Sequence, residues 1–318
     1  MYLIPAGEIR SVLHYRMLIE RLRQAFRAGC ETPEPVRYVI PTWGQSEAAL
    51  SLTPACHRGH AIGVRLDTAF PDNPRHDLPV VNSCYLLCCG KTGVLQAILD
   101  GRALTTHRAA ATAALAASYL ARPDAERLLV VGTGALAPHL IEAYAVVRPL
   151  RQVLVWGRNR SKAEKIAARF RRGAFRAAAT DDLEGAVRGA DIVSCATGTT
   201  EPVIRGEWLA PGAHLDLIGS TTPEAREADD ETIGRARVFV DCRTEASRRT
   251  GDIAQPLASG VLSPDDIAGD LFEVTRGERS GRRFYDQITL FKSVGIALAD
   301  LTAAELAAEM VVHNETLR

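Results

Sequence analysis

The segment at residues 130–137, VVGTGALA, constrains the fold more than any other part of the chain. It follows an apolar run at 128–131 and opens a helical stretch, so it has the G-x-G-x-x-G/A pattern of a strand, a tight turn and a helix. The first glycine allows the turn, the second lets the backbone approach a pyrophosphate, and the alanine keeps the helix close to the strand. The predicted dinucleotide-binding loop consists of Gly132, Thr133, Gly134, Ala135, Leu136 and Ala137.

Strands and helices alternate after this loop. The expected helices are at 135–148, where Pro149 ends the first of them, at 161–171 and at 182–188. The expected strands are at 128–131, 152–157, 191–197, 214–220 and 237–242. This alternation predicts an α/β fold of the Rossmann type, with a doubly wound parallel sheet covered by helices on both faces.

The N-terminal third has a different pattern. Residues 8–28 predict one amphipathic helix that ends at Gly29, with an apolar face made of Ile9, Val12, Leu13, Met17, Leu18, Leu22 and Phe26. Short β-like runs punctuated by Pro, Gly, Asn and Asp follow between 37 and 99, so we expect a mostly antiparallel sheet. Two Ala-rich helices complete the pattern, at 103–121 and at 291–313, and the second would return to the first domain.

The composition excludes several partners. The chain has 38 Lys+Arg and 38 Asp+Glu, so it has no basic field to attract nucleic acid or an anionic membrane. The N-terminus lacks the pattern of a signal peptide, and the longest weakly apolar run, at 109–121, is too short to span a bilayer. These observations predict a cytoplasmic protein whose partner is a small molecule.

The cysteines and two histidines were considered as metal ligands. The seven cysteines have no C-x-x-C spacing, and we interpret them, including Cys84, Cys88 and Cys89 of a predicted strand, as buried thiols. His57 and His60 have no carboxylate at helical spacing, so a polar loop is favoured over a metal pair. The sequence therefore predicts no metal site.

The end of the second strand indicates which dinucleotide binds. NAD sites usually place Asp or Glu here to accept a hydrogen bond from the ribose 2′-hydroxyl, and this chain has neither before Glu164. Arg158 and Arg160, with Asn159 and Ser161, suit a 2′-phosphate instead, because a guanidinium binds phosphate oxygens in pairs. We expect NADP(H), with NAD(H) as the second option. The alternative interpretation is that both arginines are solvated loop charges.

Several segments together resemble the ornithine cyclodeaminase/mu-crystallin family, in order along nearly the whole chain. They are GVRLDTAFPDNP at 63–74, LTTHRAAATAALAASYLA at 104–121, the glycine loop, GRNRSKAEKIA at 157–167, the stretch 191–229, and ITLFKSVGIALADLTAAE at 288–305. The resemblance implies a Rossmann domain at 123–290. It also implies a discontinuous α+β substrate-binding and dimerisation domain, at 1–122 with 291–318, and therefore a homodimer.

The resemblance also implies an activity. Members include ornithine cyclodeaminases, ketimine reductases, some alanine dehydrogenases and a crystallin that binds NADPH, and their shared chemistry is hydride exchange at the α-carbon of an amino or imino acid. Three basic residues in the family surround the substrate carboxylate, and Arg37 and Arg108 match two of these positions. Arg65 stands where the family usually has Lys; it can hold a carboxylate but cannot transfer a proton.

A second departure concerns the position two residues after the glycine of LIGSTTP. Cyclodeaminases have an Asp there, and this chain has Thr221. Cyclodeamination moves protons at several stages, for which a carboxylate is useful and a threonine hydroxyl is a poor substitute. Reduction of a cyclic imine starts from an already activated iminium, so the substitution favours a reductase. The catalytic candidates are Arg37, Arg65, Arg108 and Thr221.

Further candidates lie near the expected position of the nicotinamide. Lys292 matches a family segment there, although a solvent-facing position at a helix start is equally consistent. Asp241 could be functional or could cap a loop, and His107 is expected to pack against its helix. The candidates that end the fourth strand, at the ligand-binding edge of the sheet, are Cys195, Ala196 and Thr197.

The leading hypothesis is an NADP(H)-dependent oxidoreductase that reduces a small cyclic α-imino acid, as a ketimine reductase does. One alternative is ornithine cyclodeaminase, which converts L-ornithine to L-proline and ammonia. Another is an NADPH-binding, crystallin-like protein with little catalysis. We rank the last one lower because three guanidiniums near one site are costly without an anionic ligand.

Overall fold

The computed structural model describes residues 1–42 and 46–316. The chain divides into two compact units, Met1–Arg108 with Ala297–Arg318, and Ala109–Ile296. One helix, Gly101–Leu120, contributes residues to both units. The domain borders expected after 122 and before 291 stay predictions.

The first unit contains a six-stranded sheet. Its strands are β1 (Tyr2–Ile4), β2 (Val36–Ile40), β3 (Ala48–His57), β4 (Ala61–Ala69), β5 (Val81–Cys89) and β6 (Leu95–Asp100). They lie in the order β1-β6-β5-β4-β3-β2. Only the β1–β6 pair is parallel, so the prediction of a mostly antiparallel sheet is confirmed.

Two helices, and not one, lie between β1 and β2 in the chain. They are α1 (Ala6–Val12) and α2 (Tyr15–Ala28), and the extended backbone of His14, with ψ 131°, separates them. The prediction of a single helix over 8–28 was wrong because apolar spacing reports the buried face and not a break in the backbone hydrogen bonds. Most of the predicted face is buried, but Met17 is exposed. The next helix is α3 (Gly101–Leu120).

The second unit contains an eight-stranded parallel sheet. Its strands are β7 (Arg127–Val131), β8 (Gln152–Trp156), β9 (Arg176–Ala179), β10 (Ile192–Cys195), β11 (His214–Leu217), β12 (Arg237–Val240), β13 (Ile267–Asp270) and β14 (Thr289–Lys292). The strand order is β13-β12-β14-β11-β10-β7-β8-β9. The part β9-β8-β7-β10-β11 has the 3-2-1-4-5 order of a Rossmann fold, so the predicted fold class is confirmed. The order reverses between β7 and β10, and ligands bind beside such a reversal.

Helices cover this parallel sheet. They are α4 (Leu136–Val147), α5 (Arg160–Ala168), α6 (Leu183–Gly189), α7 (Asp230–Arg235), α8 (Arg243–Arg249), α9 (Gly251–Ser259) and α10 (Leu271–Arg276). The central strands read as continuous apolar runs because both of their faces are covered. Their fully buried residues include Leu129, Val131, Val193 and Leu215.

The C-terminal segment begins with a strand. β14 pairs with both β11 and β12, so the prediction of a helix from residue 291 was wrong at that end. A short apolar run cannot be told from a buried helical segment by its periodicity. Strand β13 was not predicted because its four residues, IAGD, contain no continuous apolar run. The helix α11 (Ala297–Thr316) begins two residues after Gly295, which has φ 76°. It packs against α2, β3 and β4 of the first unit.

Candidate functional site

The glycine loop joins β7 to α4. Gly132 has φ 128°, which other residues rarely adopt, and a Cβ here would collide with the carbonyl oxygen of Ala196. Gly134 is exposed, and apart from its own chain neighbours no described residue has an atom within 4 Å of the place that its Cβ would take. Ala135 precedes α4, and Ala137 is completely buried in its first turn. The loop therefore leaves open backbone at a helix N-terminus, which fits the pyrophosphate of a dinucleotide.

The end of β8 lies beside this loop. Thr133 packs against Gly157, where a Cβ would collide with the threonine side chain. Asn159 caps α5 by accepting a hydrogen bond from the amide of Lys162 at 3.1 Å. Arg158 and Ser161 are exposed. These groups border the place where a Rossmann fold holds the adenosine ribose.

Arg160 is already paired. Its Nε donates to Oε1 of Glu164 at 2.8 Å, and its Nη1 contacts the carboxylate of Asp181. Arg160 therefore has two acidic neighbours, and the roles of Arg158 and Arg160 in binding a dinucleotide stay predictions. Asp181 could not be recognised from the sequence, since it follows a different strand.

The end of β10 is held by a buried glutamate. Cys195 is completely buried in the apolar core, so its thiol is a core group. The next residue, Ala196, donates its amide to Val131 at 2.8 Å. The amide and the hydroxyl of Thr197 both donate to Oε1 of Glu227, each at 2.7 Å. Glu227 therefore fixes the loop at the carboxyl edge of the sheet, where a nicotinamide would lie.

The same glutamate holds the loop after β11. Its Oε2 accepts hydrogen bonds from the amides of Gly219 at 2.7 Å and Ser220 at 3.3 Å. Burial raises the pKa of Glu227, and the ammonium of Lys292 counteracts this shift. One buried carboxylate thus sets the shape of two loops at the ligand-binding edge.

Lys292 is linked to Glu227 through the buried carboxylate of Asp252. Its Nζ donates to Oδ2 of Asp252 at 2.9 Å, and both side chains are 0% exposed. The other oxygen of Asp252 accepts the amide of Glu227 at 2.7 Å. The alternative of a solvent-facing lysine at a helix start was wrong, because Lys292 ends a central strand. Contact between Lys292 and a cofactor stays a prediction.

Asp241 and Ser220 are structural supports. Asp241 follows β12 and accepts hydrogen bonds from the hydroxyl of Ser293 at 2.9 Å and from the amides of Val294 and Gly295 at 2.9 and 2.8 Å. It therefore anchors the turn between β14 and α11, which is the capping role that the sequence left open. Ser220 is buried beside Thr250, with 2.8 Å between their hydroxyl oxygens. Thr221 is exposed just beyond the end of β11.

A cluster of arginines and carboxylates lies in the first unit. Arg65 on β4 donates from Nε to Asp67 at 2.9 Å and from Nη1 to Asp300 at 2.7 Å. Arg108 in α3 donates from Nε to the other oxygen of Asp300, also at 2.7 Å. Asp300 is 1% exposed, and its charge is the main reason that the pKa of Arg65 is raised. The structure therefore brings two of the three predicted arginines to one carboxylate.

Arg37 lies on the same face of this sheet. The register pairs Arg37 with Ser51, and Ser51 with Asp67, so these three residues form one row across β2, β3 and β4. Because Arg65 and Asp67 are two positions apart on β4, they point to the same face. Arg37 is exposed and two strands from Asp67, which is about 10 Å at the usual strand spacing.

The charge balance of the cluster corrects one argument made from the sequence. Three guanidiniums were expected to require an anionic ligand. The chain itself supplies Asp67 and Asp300, which balance Arg65 and Arg108. Both carboxylates are distant in the sequence from Arg108, and Asp300 comes from α11. The cluster is therefore stable without a ligand, and only Arg37 adds a net positive charge to this group of five residues.

Three histidines of the first unit lie in different surroundings: His107 is buried, whereas His57 and His60 lie near Glu305. His107 is buried, its ring stacks on Tyr15 with 5.8 Å between centroids, and burial lowers its pKa, so its packing role is confirmed. His57 ends β3 and does not lie in a loop; its Nδ1 is 2.8 Å from Oε2 of Glu305 in α11. His60 lies 3.8 Å from the same carboxylate. This partner was missed because it is distant in the sequence.

Within residues 1–42 and 46–316, no helix is long and apolar enough to cross a bilayer, and no group of three or more His, Cys, Asp or Glu side chains is placed to hold a metal ion. All seven cysteines are free. Cys84, Cys88 and Cys89 lie on β5 as expected, but each is partly exposed, so the interpretation of buried thiols holds for Cys195 and not for these three.

The parallel sheet and its open glycine loop define a class of protein, those with a Rossmann-type dinucleotide-binding fold. Within that class, the sequence profile of the ornithine cyclodeaminase/mu-crystallin family matches residues 5–315, and the chain belongs to this family. The family expected from the sequence is therefore confirmed.

Three relatives are informative. The delta(1)-pyrroline-2-carboxylate reductase of Colwellia psychrerythraea is 37% identical over 97% of this chain and 99% of its own length. The ketimine reductase mu-crystallin of Rattus norvegicus is 33% identical over 86% and 83%. The solved delta(1)-pyrroline-2-carboxylate reductase of Thermococcus litoralis, in complex with NADH and L-proline, has a TM-score of 0.90 at 28% identity and covers 99% and 98%. The predicted enzyme class, an oxidoreductase acting on CH–NH or C=N bonds, is confirmed.

Proposed function

We propose that this enzyme reduces a small cyclic α-imino acid by hydride transfer to the α-carbon, with NADP(H) as the preferred cofactor and NAD(H) as the second. The observation that carries the proposal is the cluster in which Asp300 orients Arg65 and Arg108. Two guanidiniums held in fixed positions are suited to bind a carboxylate at two points. Relatives named for the reduction of pyrroline-2-carboxylate and of ketimines support the same substrate class.

The arginines would bind and orient the substrate. Two donor nitrogens of Arg65, Nε and Nη1, serve Asp67 and Asp300, and Nη2 has no partner among the described residues. That nitrogen would serve the substrate carboxylate, while Arg37 would supply the additional positive charge. Arg65 stays protonated because two carboxylates contact it, so it would hold the substrate and would not move a proton.

The second unit would hold the cofactor, which supplies the hydride when bound. The glycine loop from Gly132 to Ala137 would hold the pyrophosphate, and residues 158–161 the ribose with its 2′-phosphate. Ala196 and Thr197 would contact the nicotinamide, with Cys195 and Lys292 supporting them from the buried side. The preference for NADP(H) rests on the absence of any carboxylate among residues 158–161 and on the exposed guanidinium of Arg158.

Thr221 favours reduction over cyclodeamination. It is exposed at the carboxyl edge of the sheet and would donate or accept a hydrogen bond near the substrate. A hydroxyl there cannot serve as the base that repeated proton transfers require. The enzyme would therefore accept an imine that arrives protonated and would not carry out ring closure with loss of ammonia.

We also propose that the enzyme is a cytoplasmic homodimer. Strand β2 is an edge strand that exposes Val36, Tyr38 and Val39, and such an edge commonly pairs with a second copy. This supports a homodimer. Seven free cysteines are typical of a reducing compartment and support a cytoplasmic location.

A substrate panel tests the proposal. The purified enzyme is given Δ1-pyrroline-2-carboxylate or its six-membered homologue, each with NADPH and with NADH, and loss of reduced nicotinamide is followed by absorbance. We expect rapid oxidation with both imines and a higher kcat/KM with NADPH. Release of ammonia from ornithine without imine reduction would indicate a cyclodeaminase, and tight NADPH binding without oxidation would indicate a binding protein.

A further inference from the structure

The ion pair between Arg160 and Asp181 lies at the ribose end of the candidate cofactor site. Asp181 is two residues beyond β9, and Arg160 begins α5. The side chain of Asp181 is 60% exposed and that of Arg160 is 57% exposed, so neither is part of the core. The pair joins two segments that each follow a strand of the parallel sheet.

The backbone holds Asp181 in this place. Trp156, the last residue of β8, donates its indole Nε1–H to the carbonyl oxygen of Asp181 at 3.3 Å. The amide of Thr180 donates to Val155 of β8 at 3.0 Å. The backbone of Asp181 is therefore tied to β8, the strand whose end would meet the ribose, and this places its side chain beside Arg160.

The chemistry of this pair opposes a 2′-phosphate. Such a phosphate would need guanidinium donors from residues 158–161, and Arg160 already gives Nη1 to Asp181 and Nε to Glu164. Arg158, which is exposed, remains the guanidinium available to the phosphate.

We propose that Asp181 sets the cofactor preference by holding Arg160 away from the 2′-phosphate. Arg158 alone then gives a moderate preference for NADP(H), and NAD(H) remains usable. Neutralising Asp181 releases Arg160 and makes the enzyme more selective for NADP(H). This inference rests on the proposed function, because it assumes that the glycine loop binds a nicotinamide dinucleotide.

The test compares the affinities of NADP+ and NAD+ by titration calorimetry in wild type and in Asp181→Asn. We expect the ratio Kd(NAD+)/Kd(NADP+) to rise about fivefold, which is the upper range for one exposed charge pair. The change should come from tighter NADP+ binding and should shrink as ionic strength rises. The ratio of kcat/KM values for NADPH and NADH should move in the same direction.

Two further variants make the result specific. Glu184→Gln removes a carboxylate of similar exposure, 51%, that pairs with Arg188 on α6, and it should leave the ratio unchanged. In an Arg160→Ala background, Asp181→Asn should lose most of its effect, since the proposal acts through that guanidinium.

The outcomes separate this inference from the proposed function. If wild type binds neither dinucleotide, both are wrong. If it binds both and Asp181→Asn leaves the ratio unchanged, or tightens NAD+ equally, only the role of Asp181 is refuted. A rise that persists in the Arg160→Ala background also refutes it, because the effect would then be general electrostatics.

Discussion

Arg108 and Asp300 are 192 positions apart in the sequence, and Nε of Arg108 donates to Oδ1 of Asp300 at 2.7 Å. The second oxygen of the same carboxylate accepts from Arg65. A single buried acid on the last helix therefore orients two arginines that would bind the substrate. Because Asp300 is almost completely buried, the two guanidiniums are held in place before a substrate arrives.

Removing Arg108 should separate turnover from cofactor binding. Arg108→Ala should lower kcat/KM for the imine roughly a hundredfold or more, since loss of a positioning contact misplaces the reacting carbon. The Kd for NADPH, measured by fluorescence, should stay within twofold of wild type. Arg102→Ala, an exposed arginine on the same helix, is the control and should leave both values unchanged. Loss of NADPH binding together with turnover would count against this assignment of Arg108.

The two glycines of the cofactor loop should respond differently to alanine. Gly132→Ala places a methyl group against the carbonyl oxygen of Ala196, and it forces alanine to adopt the φ of 128° that Gly132 has. It should therefore lower both the melting temperature and the affinity for NADPH. Gly134→Ala meets no neighbouring atom, so it should keep the melting temperature of wild type while weakening NADPH binding at least tenfold. Thermal unfolding and a binding titration on both variants check this. Normal binding by Gly134→Ala would show that the pyrophosphate does not approach there.

Lys292 should matter for stability through Asp252 and Glu227. Lys292→Met leaves two fully buried carboxylates without their counter-charge and should lower the free energy of unfolding by about 3–5 kcal/mol. Because Glu227 holds the loops at Thr197 and Gly219, binding of the nicotinamide dinucleotide should weaken as well. Urea unfolding measures the first effect. Lys165→Met removes an exposed lysine from the same unit, and a loss as large as that of Lys292→Met would refute a specific role for the buried pair.

Asp216 should make stability depend on pH. It lies on β11, and its Oδ2 accepts hydrogen bonds from Tyr144 at 2.7 Å and Ser194 at 3.0 Å. Its Oδ1 has no hydrogen-bond partner in the part of the chain that the structure describes, and burial raises its pKa to about 7 from an ordinary value of 3.8. Since the folded state holds the proton more tightly, this contribution is complete below pH 3.8 and is lost as pH rises through about 7.

The size of this effect is set by the difference between those two pKa values. It amounts to about 4 kcal/mol over the full range, as an order of magnitude. Asp216→Asn cannot titrate, so its free energy of unfolding should fall less than that of wild type between about pH 4 and about pH 7. Parallel slopes for the two proteins in urea titrations would contradict a buried carboxylic acid at this position.

Local patterns in the sequence predicted much of the second unit, Ala109–Ile296. The glycine loop depends on neighbouring residues, because the turn, the open backbone and the close helix all lie between Gly132 and Ala137. Parallel strands that are buried on both faces can also be recognised locally, because they are continuous apolar runs in the sequence. The same property hid β14, because a short apolar run next to a helix does not show where the strand ends.

The polar partners could not be predicted, because they depend on contacts between distant segments. Asp300 lies in an Ala-rich helix and gives no local sign that it binds Arg65 and Arg108. Glu227 likewise stands in an exposed-looking acidic stretch, EAREADD, yet it is completely buried. Arg37 was placed by family resemblance, and the strand register then put it on the face that carries Arg65.

The central claim is hydride transfer to the α-carbon of a cyclic imino acid. The most direct measurement supplies NADPH labelled with deuterium at the transferable C4 position, together with Δ1-pyrroline-2-carboxylate, and locates the label in the product by proton NMR and mass spectrometry. We expect proline with one deuterium at Cα for each NADPH oxidised, and no ammonia. Absence of labelled proline, with reduced cofactor left intact, would contradict this claim.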